Sequence, residues 1–465
     1  MDAKRVLWVG LLWFIGITVL PVLAQITFQG NNYLEYSINR KLDENFFEDW
    51  TDLFMQWKNW RAGVRYEFHL PPQPFSQDTV GQGIYQRFME YRQGNFAFTL
   101  GNFYSLLGKG LVLRSFENRQ IRWDTNIDGA KIEYNHRYLD LTLLGGRPRD
   151  RSGRRHEVLQ GGQLNLKPMD LFQFGGTFVY TRLKSKGKVQ WGSLFGGLNL
   201  NFGNLYAEYA RKKYPADYPD GDAFYGMGNF WMGPFTVLVE YRDYDQFDLT
   251  EGLTYNNPPT AVREHLYTLL NRHQHVMEAN DEKGYLVELG YAFSDWGVLT
   301  LNHSRTEDHA GLMLYREYYG QVELDPTDDW SLVGASGEQR DLEARYLNFV
   351  GTAKWGFSGY DALKFIYEHQ HVKILLNDRQ FYNHAFSLSW EHSPYFTLSV
   401  LGERTTDQFS ERKIWLGGQA DIHFLDHYDL SIFAGRRREG KICAGGVCIY
   451  QPEFEGIEFR LINQF

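Results

Sequence analysis

Charged side chains are concentrated in one glycine-rich segment of the chain, residues 101–124. Glycines at positions 101, 108 and 110 stand among apolar residues, and glycine at this density lets backbone approach backbone closely. Five charged side chains follow: Arg114, Glu117, Arg119, Arg122 and Asp124. In a loop that folds into a pore, such groups narrow the passage and select solutes by charge. In a loop at the surface, they pair with one another, and the sequence leaves both interpretations open.

A second segment, residues 256–277, combines prolines, apolar residues at helical spacing and polar side chains. Thr260 is a suitable helix cap, and Val262, Leu266, Leu269 and Leu270 share one helical face, which predicts a helix of about three turns. The candidate ligand contacts are Arg263, His265, Tyr267, Asn271, Arg272 and His273. These residue types bind anions or sugars, but they are equally common on solvated helices.

Cys443 and Cys448 are the two cysteines of the chain, and they bracket a glycine turn. In an oxidising compartment we expect a disulfide that stiffens this loop and adds little global stability, because the closed ring is short. His369 and His371 share one strand face, which we expect to line a polar interior. No third ligand accompanies them, so neither a metal nor a cofactor is predicted.

Catalytic motifs are missing from the sequence. There is no Gly-x-Ser-x-Gly elbow, no His-Glu-x-x-His pair and no phosphate-binding glycine loop. The sequence therefore does not predict an enzyme.

In the rest of the chain, which carries these segments, apolar and polar residues alternate with a period of two. Phe386, Leu388 and Trp390 alternate with polar residues, and the same pattern returns across tight turns at 62–69, 130–143 and 235–242. A strict period of two is typical of strands with one apolar and one polar face, and tight turns join them into hairpins.

Connection lengths alternate as well. Short turns, such as those near 58–60 and 202–204, are interleaved with longer polar connections at 39–50, 70–82, 104–126, 147–156, 245–283 and 438–453. This arrangement is typical of a transmembrane antiparallel up-and-down β-barrel. We count about 24 strands, in a range of 20 to 26, if Trp330 to Gly337 forms a short strand. Strand side chains alone cannot fill so wide a barrel, which must hold water, a plug or inward-folded loops.

Composition and the N-terminus agree with this class. Residues 1–24 have the basic start, apolar stretch and small-residue exit of a secretory signal peptide, which leaves residues 25–465 as the barrel. Beyond them no apolar run is long enough for a membrane helix, and aromatic residues make up 17% of the chain. The formal net charge of −9 argues against binding to nucleic acid.

The last strand predicts the orientation. From Gly456 to Phe465 apolar and charged residues alternate, and a closing strand that ends in an aromatic residue resembles the signal read by the barrel-assembly machinery. Both termini then face the periplasm and the long loops face outside, with outer-membrane lipid around the barrel.

The chain also resembles a family of uncharacterised outer-membrane proteins from Bacteroidota and related Gram-negative phyla. The resemblance rests on Gly101-Asn-Phe-Tyr through Arg119, on Pro258-Pro-Thr-Ala-Val-Arg-Glu-His through His273, and on Gly440-Lys-Ile-Cys-Ala-Gly-Gly-Val-Cys448. It implies a porin-like barrel in the outer membrane and leaves the function open.

Two functions remain from the sequence. The first is a porin-like channel for passive passage of small solutes, in which residues 104–126 and 256–277 fold inward and set the selectivity. The second is a non-conducting barrel that serves as a surface receptor or as the membrane anchor of an envelope complex.

Overall fold

The computed structural model describes residues 26–70, 81–150, 153–183, 187–215, 218–247, 256, 258–273, 275–444 and 447–465. The predicted signal peptide, residues 1–24, lies outside the described residues. Within the described ranges no helix has the length and apolar character needed to cross a membrane.

Twenty-four antiparallel strands form one closed sheet, which confirms the predicted all-β barrel and its strand number. In chain order the strands are β1 (Ile26–Asn39), β2 (Glu44–Trp57), β3 (Trp60–Leu70), β4 (Gln82–Gln93), β5 (Phe96–Phe103), β6 (Ile127–His136), β7 (Leu139–Pro148), β8 (Leu159–Met169), β9 (Phe172–Leu183), β10 (Gly187–Leu200), β11 (Gly203–Lys213), β12 (Gly221–Met232), β13 (Phe235–Asp245), β14 (Asp281–Ser294), β15 (Gly297–Glu307), β16 (Met313–Thr327), β17 (Trp330–Asp341), β18 (Ala344–Gly356), β19 (Asp361–Ile374), β20 (Gln380–His392), β21 (Phe396–Thr405), β22 (Ile414–Phe424), β23 (Tyr428–Arg437) and β24 (Phe454–Gln464). Each strand pairs with its neighbours in the chain.

The barrel closes where β1 meets β24. Leu34 lies opposite Leu461, and the backbone N–H of Gly30 donates to the carbonyl of Phe465 at 2.7 Å. Gly456 is essential to this contact, because a Cβ at its position would collide with the backbone oxygen of Ile38. Closure leaves the sheet without an exposed edge.

The two rims differ in the length of their connections. On one, the short-turn rim, two to four residues join successive strands, as at 58–59. The opposite, long-loop rim carries the largest connections, 104–126 and 246–280. The predicted inserted loop 245–283 is therefore shorter than expected, because residues 281–283 pair with β13 as the start of β14.

One predicted loop was wrong for a related reason. The range 39–50 contains a turn of four residues only, since β2 begins at Glu44. Glu48 and Trp50 are buried and face the barrel interior, so one of the charges that suggested a loop, Glu48, belongs to the inner face of a strand.

The outer face carries large apolar side chains with an aromatic band near the short-turn rim. Trp330 and Trp355 stack on adjacent strands with ring centroids 5.9 Å apart, and both are exposed. Other exposed tryptophans in this band are Trp57, Trp231, Trp296 and Trp390. Amphipathic rings at this level are typical of the boundary between lipid and water.

We expect Gly456→Ala to impair barrel closure, because the added methyl group meets backbone of β1 rather than a flexible side chain. Overpacking of this kind costs about 1–3 kcal/mol. Heat-modifiable electrophoretic mobility of the membrane-assembled protein measures the folded fraction. Gly351→Ala on β18 is the matched control, since its Cβ meets nothing within 4 Å. Equal folded fractions for the two variants would contradict this account of the seam.

Candidate functional site

The interior of the barrel is lined by charged side chains of both signs. Arg65, Glu67, Glu208 and Arg242 are buried on the inner face, as the alternation predicts. These charges are removed from water because two chain segments return from the long-loop rim into the interior. A buried charge is stable only when it is paired and hydrogen-bonded.

The first interior segment, residues 104–126, is anchored to the wall by its backbone. The N–H of Gly108 donates to Gln163 at 2.7 Å, and that of Lys109 donates to Glu208 at 2.8 Å. Gly108 has a φ of +61°, and a Cβ there would meet the Glu208 carboxylate. Glycine is therefore required at this point, which accounts for part of the glycine-rich pattern.

Apolar residues of the first interior segment fill one side of the lumen. Leu111 and Val112 are fully buried, and Leu107 and Leu113 almost so. They pack with inward-facing wall residues, including Trp191, whose indole N–H donates to the carbonyl of Val112. This part of the interior is packed like a protein core.

The predicted constriction residues lie inside the barrel, but most of them pair with the wall. Glu117 accepts from Arg65 at 2.5 Å, and Arg119 donates to Asp52 at 2.9 Å. Arg122 lies 3.4 Å from Glu35. The expected arginine ladder is thus neutralised by carboxylates of β1 and β2.

The remaining two constriction residues have different surroundings. Asp124 accepts from Arg149 at 3.1 Å and from the hydroxyl of Tyr104 at 3.0 Å. Arg114 lies over the ring of Phe116, 4.8 Å from its centroid. Burial lowers the pKa of the Arg114 guanidinium, and the charge of Glu264 partly offsets this effect. The two inward-folded parts of the chain therefore meet near Arg114.

The second interior segment, residues 258–273 and 275–280, has less helix than predicted. A single helical turn spans Thr268–Asn271, and its N-terminal backbone N–H groups, from Thr268 and Leu269, donate to Glu368 of β19 at 3.0 and 2.7 Å. Leu266 is 99% exposed, so the predicted four-residue apolar face was wrong. Wall contacts, not a cap at Thr260, decide where this turn begins.

Several candidate ligand contacts hold the second interior segment against the wall. Arg263 pairs with Glu288 on β14, and His265 lies 2.7 Å from Glu317 on β16. Each bond fixes the segment to a different strand, so the segment crosses the interior in front of a wide arc of the wall.

The most extensive attachment is at the helical turn. Arg272 binds Glu403 of β21 through two hydrogen bonds, at 2.6 and 2.8 Å. Arg438 donates to the same carboxylate at 2.9 Å. His273 stacks on Tyr346, with ring centroids 3.9 Å apart.

Two cavities lie against the wall formed by β19 to β24. The upper cavity has a volume of about 520 Å³ and borders the helical turn, including Tyr267, Asn271 and Arg272. The lower cavity, of about 470 Å³, lies near the short-turn rim, and its lining includes the polar residues Gln419 and Ser431.

Phe433 stands at the boundary between the two cavities. Along β22, Trp415 lines the upper cavity and Gln419 the lower one, with Gly417 between them. A Cβ at Gly417 would approach the Phe433 ring to 2.5 Å, so the ring lies over this glycine. The sequence pattern contained no signal for this boundary, because it depends on which strands the interior segments leave uncovered.

Two other expectations concern possible ligand sites. His369 and His371 lie on the same strand face, but that face is the outer one, since the alternate residues Glu368 and Gln370 are buried. Within the described ranges no group of three metal-binding side chains occurs. Cys443 and Cys448 lie opposite each other in a two-stranded hairpin, and their disulfide stays a prediction.

Sequence comparisons identify a family without a known activity. The family of unknown function DUF6029 matches residues 31–306 and 327–465. A comparison with curated proteins gives no match. The expected Bacteroidota origin stays a prediction.

Comparison with solved structures gives several similar chains. A chain of the E. coli P pilus tip assembly intermediate PapC-PapD-PapK-PapG superposes with a TM-score of 0.59 at 11% identity, over 96% of this chain and 62% of that chain. This chain therefore spans less than two thirds of that relative. The siderophore receptor PirA from Pseudomonas aeruginosa is similar over 94% of this chain and 80% of that chain, with a TM-score of 0.47 and 9% identity. OpdO from Pseudomonas aeruginosa matches over 75% of this chain and 97% of that chain, with a TM-score of 0.42 and 13% identity.

The first of these likenesses supports the fold, and at such identity none of them transfers an activity. Other similar structures include a P pilus usher translocation pore and a copper transporter.

We expect acid to loosen the second interior segment through His273. Burial and the nearby cations Arg272, Lys441 and Arg438 lower the pKa of His273 from 6.5 to about 3. Between pH 3 and pH 6.5, His273 is protonated when the second interior segment has left the wall and neutral when the segment is bound to it. Binding of the segment to the wall is therefore strongest above about pH 6.5 and weakens as the pH falls toward 3. Hydrogen-exchange protection of residues 258–273, corrected for intrinsic exchange rates, measures this change.

The matched variants are His273→Phe, which keeps a ring to stack on Tyr346, and His423→Gln at the short-turn rim. We expect His273→Phe to lose most of the acid dependence and His423→Gln to retain it. Equal acid sensitivity in His273→Phe and the unmodified chain would assign the effect to another group.

Proposed function

The chain belongs to the DUF6029 family of unknown function, and we propose that it is an outer-membrane channel for passive passage of small solutes. Support comes from the uneven filling of the lumen. The first interior segment packs one side with apolar residues, whereas the upper and lower cavities follow each other along β19 to β24. A solute would use this wall.

In this proposal the two interior segments have different roles. The charged residues of the first interior segment fix it to β1, β2 and β3 through ion pairs, such as Arg119 with Asp52. The second interior segment sets what passes, because its helical turn borders the upper cavity and is attached there by Arg272 and Glu403. Phe433 separates the cavities and acts as the narrow point.

The biogenesis that we propose follows from the sequence. Residues 1–24 act as a signal peptide, and residues 25–465 form the barrel with both termini in the periplasm. The barrel-assembly machinery recognises the closing strand that ends at Phe465. The proposed passage includes no catalytic step and no cofactor.

A non-conducting barrel is the second candidate. The fully buried Leu111 and Val112 favour it, because a packed apolar filling closes a large part of the lumen. In that case the exposed long loops would serve as a receptor surface or as the contact of an envelope complex.

Planar-bilayer conductance of the purified protein separates the two candidates. We expect the unmodified chain to conduct and Phe433→Ala to raise the single-channel conductance, since it removes the ring at the boundary between the cavities. We expect Arg272→Ala to raise the open probability about tenfold or more, because truncating one partner of a buried ion pair costs about 3–5 kcal/mol.

Arg345→Ala is the matched control. The side chain of Arg345 is 53% exposed and pairs with Glu338 outside the cavities. The single-channel conductance of this variant should therefore equal that of the unmodified chain. The absence of current from all four proteins, with normal barrel mobility in gels, would contradict the channel and favour the receptor or anchor.

A further inference from the structure

The upper cavity is lined by parts of the chain that are far apart in sequence. Its lining includes the helical turn at Thr268, the inner faces of β19 to β23, and the hairpin that begins at Gly440. Its volume of about 520 Å³ is within the range typical of small-molecule sites.

Cationic side chains dominate the charged lining of this cavity. Two carboxylates, Glu368 and Glu403, line it together with five cations: Arg272, Arg436, Arg437, Arg438 and Lys441. Both carboxylates are already engaged by the second interior segment, Glu368 through backbone N–H groups and Glu403 through Arg272. The charged groups of the lining that remain for a ligand are therefore mainly hydrogen-bond donors.

Arg437 and Arg438 carry most of this capacity. Arg437 donates from one terminal nitrogen to Glu458 at 2.5 Å, and its other terminal nitrogen has no acceptor among the described residues. Arg438 uses Nη1 for its bonds to Glu403 and Asn383, at 2.9 and 3.0 Å. A guanidinium has five donors in a planar fork that matches a carboxylate or phosphate.

Aromatic rings form another side of the same cavity. Trp415 and Phe433 line it, and the guanidinium of Arg438 lies 5.0 Å from the centroid of the Trp415 ring. Such a surface binds a flat or apolar group by burial and stacking. The chemistry therefore combines an anion site with an apolar wall.

We propose that the upper cavity binds small organic anions that carry a carboxylate or phosphate beside an apolar or aromatic part. Arg437, Arg438 and Lys441 bind the anionic group, and Trp415 and Phe433 contact the apolar part. That these anions are also the solutes which pass through the channel rests on the proposed function. Binding itself is measurable in a barrel that does not conduct.

Calorimetric titration of the full chain in lipid nanodiscs tests this site. The probes are benzoate and phenyl phosphate, with benzyl alcohol and benzamidine as neutral and cationic molecules of similar shape. We expect both anions to bind at least tenfold more tightly than the two controls. Added salt should weaken this binding, because the attraction is electrostatic. A preference of benzoate over phenyl phosphate, or the reverse, identifies which anionic group the site takes.

The variants are Arg437→Gln, Arg438→Gln and Lys441→Gln, with Arg345→Gln as the matched control outside the cavity. We expect each of the first two to weaken benzoate binding about tenfold or more and Arg345→Gln to leave it unchanged. Lys441 is exposed and outside the barrel strands, so Lys441→Gln keeps the test valid if the arginine variants assemble poorly. Equal binding of benzoate and benzyl alcohol, or unchanged benzoate affinity in all three cavity variants, would overturn the proposal.

Reversal potentials in a salt gradient separate this proposal from the channel itself. Anion binding without any current would reject the channel and keep the site. Current without a preference for anions, together with equal binding of charged and neutral probes, would reject the site and keep the channel.

Discussion

The closed ring of hydrogen bonds is the constraint from which the rest of this structure follows. A membrane-spanning strand has no water to satisfy its backbone groups, so each N–H and C=O must pair with a neighbouring strand. Here the ring contains 24 strands and closes between β1 and β24. So many strands give a lumen too wide for the wall side chains to fill, and here two segments of the chain return into it.

The two interior segments pack against a wall that carries charged side chains. The inner face of the barrel is charged, and a charge shielded from water by a folded segment is destabilising unless a partner accompanies it. The two segments supply these partners: Arg119 for Asp52, and Arg272 for Glu403. Because each pair requires one position along the segment, ion pairs fix the path of the chain where apolar packing alone would allow several.

The two interior segments fill the lumen unevenly, so the two sides of the barrel differ. The first interior segment brings leucines and a valine, and it packs against Trp191 and other inward-facing apolar residues. The wall from β19 to β24 has mostly polar or charged partners and keeps two cavities. The proposed passage and the proposed anion site both depend on this difference between the two sides of one barrel.

The sequence by itself determined the barrel, because strand periodicity and connection length are local properties. It predicted about 24 strands, in a range of 20 to 26, and the alternation placed Arg65 and Glu208 on the inner face. Long-range contacts decided the rest. The helical turn begins where Glu368, about 100 positions away, accepts its first N–H groups, and so the helical spacing of Leu266 was misleading. His369 shares a face with His371 in any strand, but only the closed barrel shows that this face is the outer one. Likewise, the spacing of Arg114 to Asp124 revealed a charged loop, and its partners in β1 and β2 became visible only when the wall enclosed it.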